Sequence, residues 1–153
     1  MTYENLLTAA DQEGLLVKEQ PLQMSDGLLI NKRIAIRKNI STHTEKACVL
    51  AEELGHYYTT SGNILDQDEI TNRKQELRAR LWAYNHQIGL IGIIRAYEHG
   101  CRNASEMAEY LNVTEEFLQD ALNCYRSKYG ICVEFDNYIV FFIPALAVMK
   151  RVT

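Results

Sequence analysis

The chain has 153 residues, of which 47% are hydrophobic and 24% are charged, a composition typical of one globular domain with at most a small second lobe. Disordered and low-complexity classes of protein are therefore excluded. Because 16 lysines and arginines stand against 20 aspartates and glutamates, the net charge is −4, which argues against nonspecific attraction to nucleic acid or to an anionic membrane.

The first 38 residues predict a short helix followed by a small sheet. Apolar residues at helical spacing indicate a helix from Tyr3 to Asp11, which Gly14 ends. From Leu15 to Lys38 the pattern changes to short apolar runs, and turn residues such as Pro21 separate them. We expect these runs to form the strands of an antiparallel sheet.

Two long helices are predicted next. Thr42 and Glu45 have the spacing of a capping box, and the helix that they begin should run to about Thr60 and stop at Gly62. A second helix should begin in the acidic segment of residues 66–69, which the helix dipole favours, and end near Gly89. Its predicted apolar stripe consists of Ile70, Leu77, Leu81, Tyr84 and Ile88.

The rest of the chain predicts three shorter helices, at about residues 90–99, 104–111 and 114–128, and a hairpin from Ile131 to Phe142. The second and third of these helices resemble a helix-turn-helix, in which Thr114 caps the later helix. Residues 103–120 contain acidic residues at five positions and no lysine or arginine. Because this charge would repel phosphates, we expect the pair to dock a protein or to support the fold, and not to bind nucleic acid.

The amino-terminal segment and the cysteines predict a cytoplasmic protein without a membrane partner. Residues 1–12 lack the basic and apolar regions of a signal peptide. The longest apolar stretch, Tyr138 to Met149, contains Pro144 and is shorter than the ~20 residues that cross a bilayer. The cysteines lie at positions 48, 101, 124 and 132 without metal-like spacing, so we expect buried, reduced thiols.

The sharpest candidate for a chemical site is the segment Glu52-Glu53-Leu54-Gly55-His56. Glu52 and His56 are four residues apart, so they project from the same side of one helix and can bind one metal ion. In the HExxH motif of zinc peptidases this spacing holds two histidines, and the glutamate after the first is the general base for metal-bound water. Here Glu53 has the position of the base, and Glu52 has that of the first histidine.

Two segments around these residues match one known pattern. Residues Cys48 to His56 and the helix of Glu76 to Ala83, which fits ExxAxxxA, together resemble the ImmA/IrrE family of phage and mobile-element metallopeptidases. The order of helix, small sheet, active-site helix and acidic-start helix is similar too, over roughly residues 1–90. The resemblance implies an α+β, zincin-like, mainly helical fold with the small antiparallel sheet next to the active-site helix. It also implies that Glu76 is a third metal ligand beside Glu52 and His56.

Helix geometry allows an independent check of this ligand set. At about 100° per residue, Glu76, Ala79 and Ala83 share a face that is separate from the predicted apolar stripe. Two alanines there would let another helix approach closely, so we expect this face to meet the helix of Glu52 and His56. The alternative is a solvated face on which Glu76 pairs with Arg80, four residues later.

The predicted function follows from the resemblance. We expect a metallopeptidase-like domain at residues 1–98 and a helix-turn-helix-like subdomain at residues 99–153 packed on it. The resemblance implies an endopeptidase that cleaves a regulatory protein, such as a phage or mobile-element repressor or an antitoxin. Glu53 would act as base and then as acid, and Tyr57 would assist. No oligomeric state is predicted.

The metal and the alternative function depend on the charge of the ligands. Two carboxylates and one histidine would cancel the charge of a divalent metal, so its water would be less activated than in a His/His/Glu site. Zinc is the expected metal, and the oxygen ligands make manganese or iron the alternatives. The competing hypothesis is a catalytically impaired, zincin-like scaffold that binds a regulatory protein without cleaving it.

Overall fold

The structure is a computed structural model and describes residues 1–60 and 69–152. The residues divide into two compact units, Met1–His86 and Gln87–Thr153. The helices are α1 (Tyr3–Gln12), α2 (His43–Thr59), α3 (Glu69–Gln87), α4 (Gly89–His99), α5 (Ala104–Leu111) and α6 (Glu115–Tyr129). The strands are β1 (Leu16–Gln20), β2 (Gly27–Ile30), β3 (Arg33–Arg37), β4 (Cys132–Phe135), β5 (Tyr138–Phe141) and β6 (Ala147–Lys150). The predicted α+β class is confirmed.

The sheet of the first unit has the order β1-β3-β2 and is mixed in direction. β2 and β3 are antiparallel, as predicted, and Asn31 in their turn has a φ of 55°, which asparagine tolerates better than most residues. β1 pairs with β3 in parallel, which the sequence pattern did not indicate. The chain between β1 and β2 passes to the opposite edge of the sheet, so the two strands are not neighbours.

The inner face of this sheet packs against α2. Ile34 and Ile36 of β3 are buried, as are Leu50 and Leu54 of α2. α1 contacts both α2 and β1 and closes the other side of this core. The core therefore fixes α2 against the sheet, and α2 is the helix that carries most of the predicted site.

The predicted limits of α2 are confirmed where the structure describes them. The Thr42 hydroxyl accepts a hydrogen bond from the backbone N–H of Glu45 at 3.1 Å, which satisfies one of the first N–H groups of the helix. The helix ends at Thr59, next to the predicted end. Gly62 and residues 66–68, the predicted stop of α2 and most of the acidic start of α3, lie outside the described residues.

The buried face of α3 differs from the predicted apolar stripe. Ile70 and Leu77 are exposed, whereas Ala79 and Ala83 are fully buried. A β-carbon added to Gly55 of α2 would collide with the backbone carbonyl of Ala79, so the two helices approach too closely for large side chains. The alanine face therefore meets α2, as the helix geometry predicted. The stripe was wrong at Ile70 and Leu77 because it assumed that the largest apolar residues face the core.

The second unit combines α4, α5 and α6 with an antiparallel sheet of order β4-β5-β6. The predicted helices and the β4–β5 hairpin are confirmed, and Thr114 caps α6 through the backbone N–H of Phe117. β6 was not predicted, because alanine, methionine and lysine favour helices and only pairing with β5 makes this segment a strand. Tyr125 and Phe142 are among the largest fully buried side chains of this unit.

The structure tests the prediction of buried, reduced cysteines, and it shows whether its described helices could cross a membrane. All four cysteines lie in the described ranges and none is in a disulfide. Burial is confirmed for Cys48 but is wrong for Cys132, which is exposed, and Cys101 and Cys124 are half-buried. Within residues 1–60 and 69–152, no helix is both long and apolar enough to cross a membrane.

Candidate active site

Helix α2 presents three of the predicted site residues, and all three are half-buried. Glu52 and His56 lie one turn apart, and Glu53 follows Glu52 on the adjoining side. His56 is in the last turn of α2, where the partial negative charge of the helix end favours a cation. The helix therefore concentrates two acidic groups and one imidazole near its carboxyl end.

His56 and Glu76 meet across the two packed helices. The Nε2 atom of His56 lies 3.1 Å from Oε2 of Glu76. The other carboxylate oxygen, Oε1, lies 3.4 Å from Nε of Arg80, one turn later on α3. Glu76 thus makes both of the contacts that the sequence offered as alternatives, one with α2 and one with Arg80.

The spacing of these two atoms fits a shared cation. Donors ~2.0–2.1 Å from a tetrahedral zinc ion are separated by ~3.3 Å, which is close to the distance between His56 and Glu76. Glu52 does not complete the set in this structure: among the residues described, no three His, Cys, Asp or Glu side chains are placed so that they could hold a metal ion. His56 and Glu76 therefore match the predicted metal ligands in their donor atoms and in the distance between them. Glu52 matches in its donor atoms alone.

The pKa of Glu53, beside this pair, is strongly raised. Burial, and then the negative charges of Glu52 and Glu76, raise the pKa of Glu53 from 4.5 to about 7. A carboxyl group with a pKa near neutrality can both accept and return a proton at physiological pH, which a general base and acid must do. Glu53 therefore has the property that its position in the sequence predicted.

The burial of Glu53 depends on Gly27, which sequence reasoning did not select. A β-carbon at Gly27 would lie 2.9 Å from both Cγ and Oε1 of Glu53, so the main chain of β2 lies directly against this carboxylate. The start of β2 is held by a hydrogen bond from Ser25 Oγ to the Gly27 carbonyl (2.9 Å) and by the Arg37–Asp26 ion pair (2.6 Å). The only signal in the sequence was a glycine at the start of a strand, which also fits an ordinary turn.

The family of the chain follows from a comparison with family models. The model described as the IrrE N-terminal-like domain, Peptidase M78, matches residues 8–123. The chain belongs to this family. The predicted resemblance is therefore confirmed at the level of the family, and the zincin-like fold is confirmed with it. No curated protein and no solved structure matches the chain.

The IrrE N-terminal-like match includes every candidate site residue and extends beyond the predicted limit near residue 90, from α1 into α6. Peptidase M78 is a family of metal-dependent peptidases, which agrees with the kind of donors at positions 52, 56 and 76. Carboxylate and imidazole groups are donors that divalent metals accept, so the residues at these positions are compatible with the chemistry of the family.

Tyr57, the predicted assisting group, belongs to an aromatic cluster beside the IrrE-like site. Its ring contacts Tyr58 edge-on at a centroid distance of 5.1 Å, and Tyr58 stacks on Trp82 at 5.0 Å. Trp82 in turn stacks on His86 at 4.7 Å, and burial lowers the pKa of His86. The stacking of Tyr58 on Trp82 therefore joins α2 to α3.

Proposed function

We propose that the chain is a cytoplasmic metallo-endopeptidase that hydrolyses a peptide bond in a regulatory protein, such as a phage or mobile-element repressor. The observation that carries this proposal is the contact of His56 with Glu76 at 3.1 Å beside the half-buried Glu53, whose pKa is raised. Membership in a metal-dependent peptidase family supports the same class of reaction. The proposed substrate comes from the family resemblance.

Glu52, His56 and Glu76 would hold the metal, with Glu52 in the position of the first histidine of HExxH. When bound, a divalent metal supplies a Lewis acid that activates water and polarises the peptide carbonyl. Zinc suits the imidazole and accepts carboxylates, and two carboxylates also suit manganese or iron. Because the three ligands neutralise a divalent charge, we expect weaker activation than in a site with two histidines.

The protein's own groups would provide proton transfer and substrate positioning. Glu53 would take a proton from the attacking water and return it to the leaving amine, which its pKa of about 7 permits in both directions. β2 lies at one edge of the sheet, and a substrate can add to such an edge as an extra strand. Because Gly27 of β2 lies against Glu53, a peptide on this edge would pass close to the base. Tyr57 would be the assisting group.

A specific observation favours a second candidate, a scaffold that binds a regulatory protein without cleaving it. The part of the chain described by the structure contains no three-donor group ready for a metal. A carboxylate at position 52 also reduces the electrophilic power of a bound metal. The scaffold and the peptidase hypotheses differ in the expected metal content and in the expected cleavage of a peptide. Metal binding and cleavage are therefore both measured.

We expect the purified chain to bind one equivalent of zinc and to lose it in His56→Ala and in Glu76→Ala, because each change removes a donor. Glu52→His should tighten zinc binding by ~10-fold or more, since imidazole is the better zinc ligand at this position. Titration calorimetry with zinc and with manganese measures these affinities. His43→Ala, which removes an exposed histidine at the start of α2, is the matched control. Full zinc binding by His56→Ala and Glu76→Ala would refute the ligand assignment.

We expect Glu53→Gln to bind metal like the wild type and to cleave ~10²–10⁴-fold more slowly, because the variant lacks the proton acceptor. The zinc-loaded chain is incubated with a peptide library prepared from a proteome, and new amino termini are quantified by mass spectrometry. Equal cleavage by the wild type and Glu53→Gln would exclude the proposed base. Metal binding without cleavage, also in Glu52→His, would favour the scaffold.

A further inference from the structure

The outer face of the first sheet, opposite α2, carries exposed apolar side chains. Leu16 lies opposite Arg33 in the pairing of β1 with β3, and Leu28 lies opposite Ala35 in the pairing of β2 with β3. Leu16, Leu28 and Ile30 are 47%, 43% and 58% exposed. Alternation along the strands separates these residues from Ile34 and Ile36, which are buried on the inner face. We call the set Leu16, Lys18, Leu28, Ile30, Arg33 and Ala35 the outer sheet face.

The outer sheet face is a groove and not a set of scattered surface residues. The residues of this face, together with Gln20 and Ile34, line an open depression of about 390 Å³. Single exposed aliphatic side chains are ordinary on a protein surface, but several in one depression mark a place where another molecule binds. The shape therefore indicates a partner that can enter the groove.

The charge of the outer sheet face is positive, although the protein has a net charge of −4. Lys18 and Arg33 are exposed on this face, and over the strands at 16–20, 27–30 and 33–37 the face contains no aspartate or glutamate. Glu19 points to the opposite side, where its carboxylate pairs with Lys46 of α2. A basic rim around an apolar floor complements a partner that is apolar and acidic.

We infer that the outer sheet face docks an amphipathic, acidic helix of a partner protein, with its apolar stripe in the groove and its carboxylates beside Lys18 and Arg33. Three strands at ~4.8 Å spacing make a floor that matches the ~10 Å width of one helix. A five-residue strand is ~17 Å long, which corresponds to about three helical turns. Docking at this face requires neither metal nor cleavage, so it does not depend on the proposed peptidase.

The test uses two labelled peptides of ~14 residues, which as helices span the sheet face at ~1.5 Å per residue. One peptide has a leucine stripe with glutamates on its flanks, and its twin has lysine at each glutamate. We expect the full chain to bind the acidic peptide ~10-fold more tightly than the twin, and the affinity to fall as salt is raised. Fluorescence anisotropy measures both titrations.

Variants locate the binding on the outer sheet face. Lys18→Glu/Arg33→Glu should bind the acidic peptide ~10-fold more weakly and should prefer the basic twin. Leu28→Ser/Ile30→Ser should also bind ~10-fold more weakly, with thermal melting confirming that each variant is folded. Arg95→Glu/Lys150→Glu makes the same charge change at exposed positions of the second unit, and should bind like the wild type.

Four results would overturn the inference. The two peptides could bind equally or not at all, or the control Arg95→Glu/Lys150→Glu could lose as much affinity as Lys18→Glu/Arg33→Glu. Vesicles of phosphatidylglycerol could bind the chain through this face while the acidic peptide does not, which would make a lipid surface the occupant. Sedimentation could show a dimer of the chain alone that Lys18→Glu/Arg33→Glu dissociates, which would make a second copy the occupant.

Discussion

Gly55→Ala is expected to destabilise the first unit by ~3 kcal/mol, the upper part of the range for overpacking a core. The added β-carbon would collide with the backbone carbonyl of Ala79, and a backbone atom cannot move aside as the end of a side chain can. The gain of up to ~1 kcal/mol from replacing a helical glycine by alanine offsets only part of this cost. Urea denaturation followed by circular dichroism measures the change.

The matched control for this change is Gly92→Ala in α4. Gly92 is also a buried helical glycine, but its added β-carbon would meet Cδ2 of Leu111 at 3.2 Å, which is the end of a flexible side chain. We expect this variant to remain within ~1 kcal/mol of the wild type, since the helix propensity gain is the same and the collision is avoidable. Similar unfolding of Gly55→Ala and the wild type would contradict the close packing of α2 on α3.

Glu53→Gln is expected to stabilise the metal-free protein at pH 8 and to stabilise it by less than ~1 kcal/mol at pH 5. The pKa of Glu53 is raised from 4.5 in the reference state to about 7 in the folded protein, so the folded state holds this proton more tightly. The stabilisation of the folded state by this proton is therefore fully present below pH 4.5 and is lost as the pH rises to about 7. Because Glu53 is partly exposed, solvent screens its charge. We therefore expect the free energy of unfolding of the variant at pH 8 to exceed that of the wild type by ~2 kcal/mol, which is less than the whole change in pKa would give.

The measurement compares urea unfolding of Glu53→Gln and the wild type at the two pH values in the presence of a chelator. Glu109→Gln, at an exposed position of α5, is the control, and it should leave the difference between the two pH values unchanged. A stability gain that is equal at pH 5 and pH 8 would show that the buried charge is not its cause.

The helices could be predicted from the sequence because their signals are local. Thr42 and Thr114 mark two starts with side chains that satisfy backbone N–H groups, and the structure confirms both caps. The approach of α3 to α2 was also predictable, because Ala79 and Ala83 share a face. These predictions needed only the residues within one or two turns of a helix.

The pairing of the strands and the burial of Glu53 could not be predicted in the same way. Alternation shows which side chains share a face, but it does not identify the neighbouring strand, so the parallel pairing of β1 and the existence of β6 were missed. The burial of Glu53 depends on Gly27, 26 positions earlier in the chain, whose main chain reaches the carboxylate only after the sheet has formed. Contacts of this kind carry no signal in the residues next to them.

The crossing of α2 and α3 has a consequence for how the sequence can change over time. Most core positions can vary in pairs, since a larger residue on one side is compensated by a smaller one opposite. At Gly55 the obstacle is the main-chain oxygen of Ala79, which every amino acid possesses, so no substitution at position 79 can make room. Position 55 therefore has to stay glycine whatever residue stands at position 79. The turn of α2 that precedes it keeps the same close approach to α3.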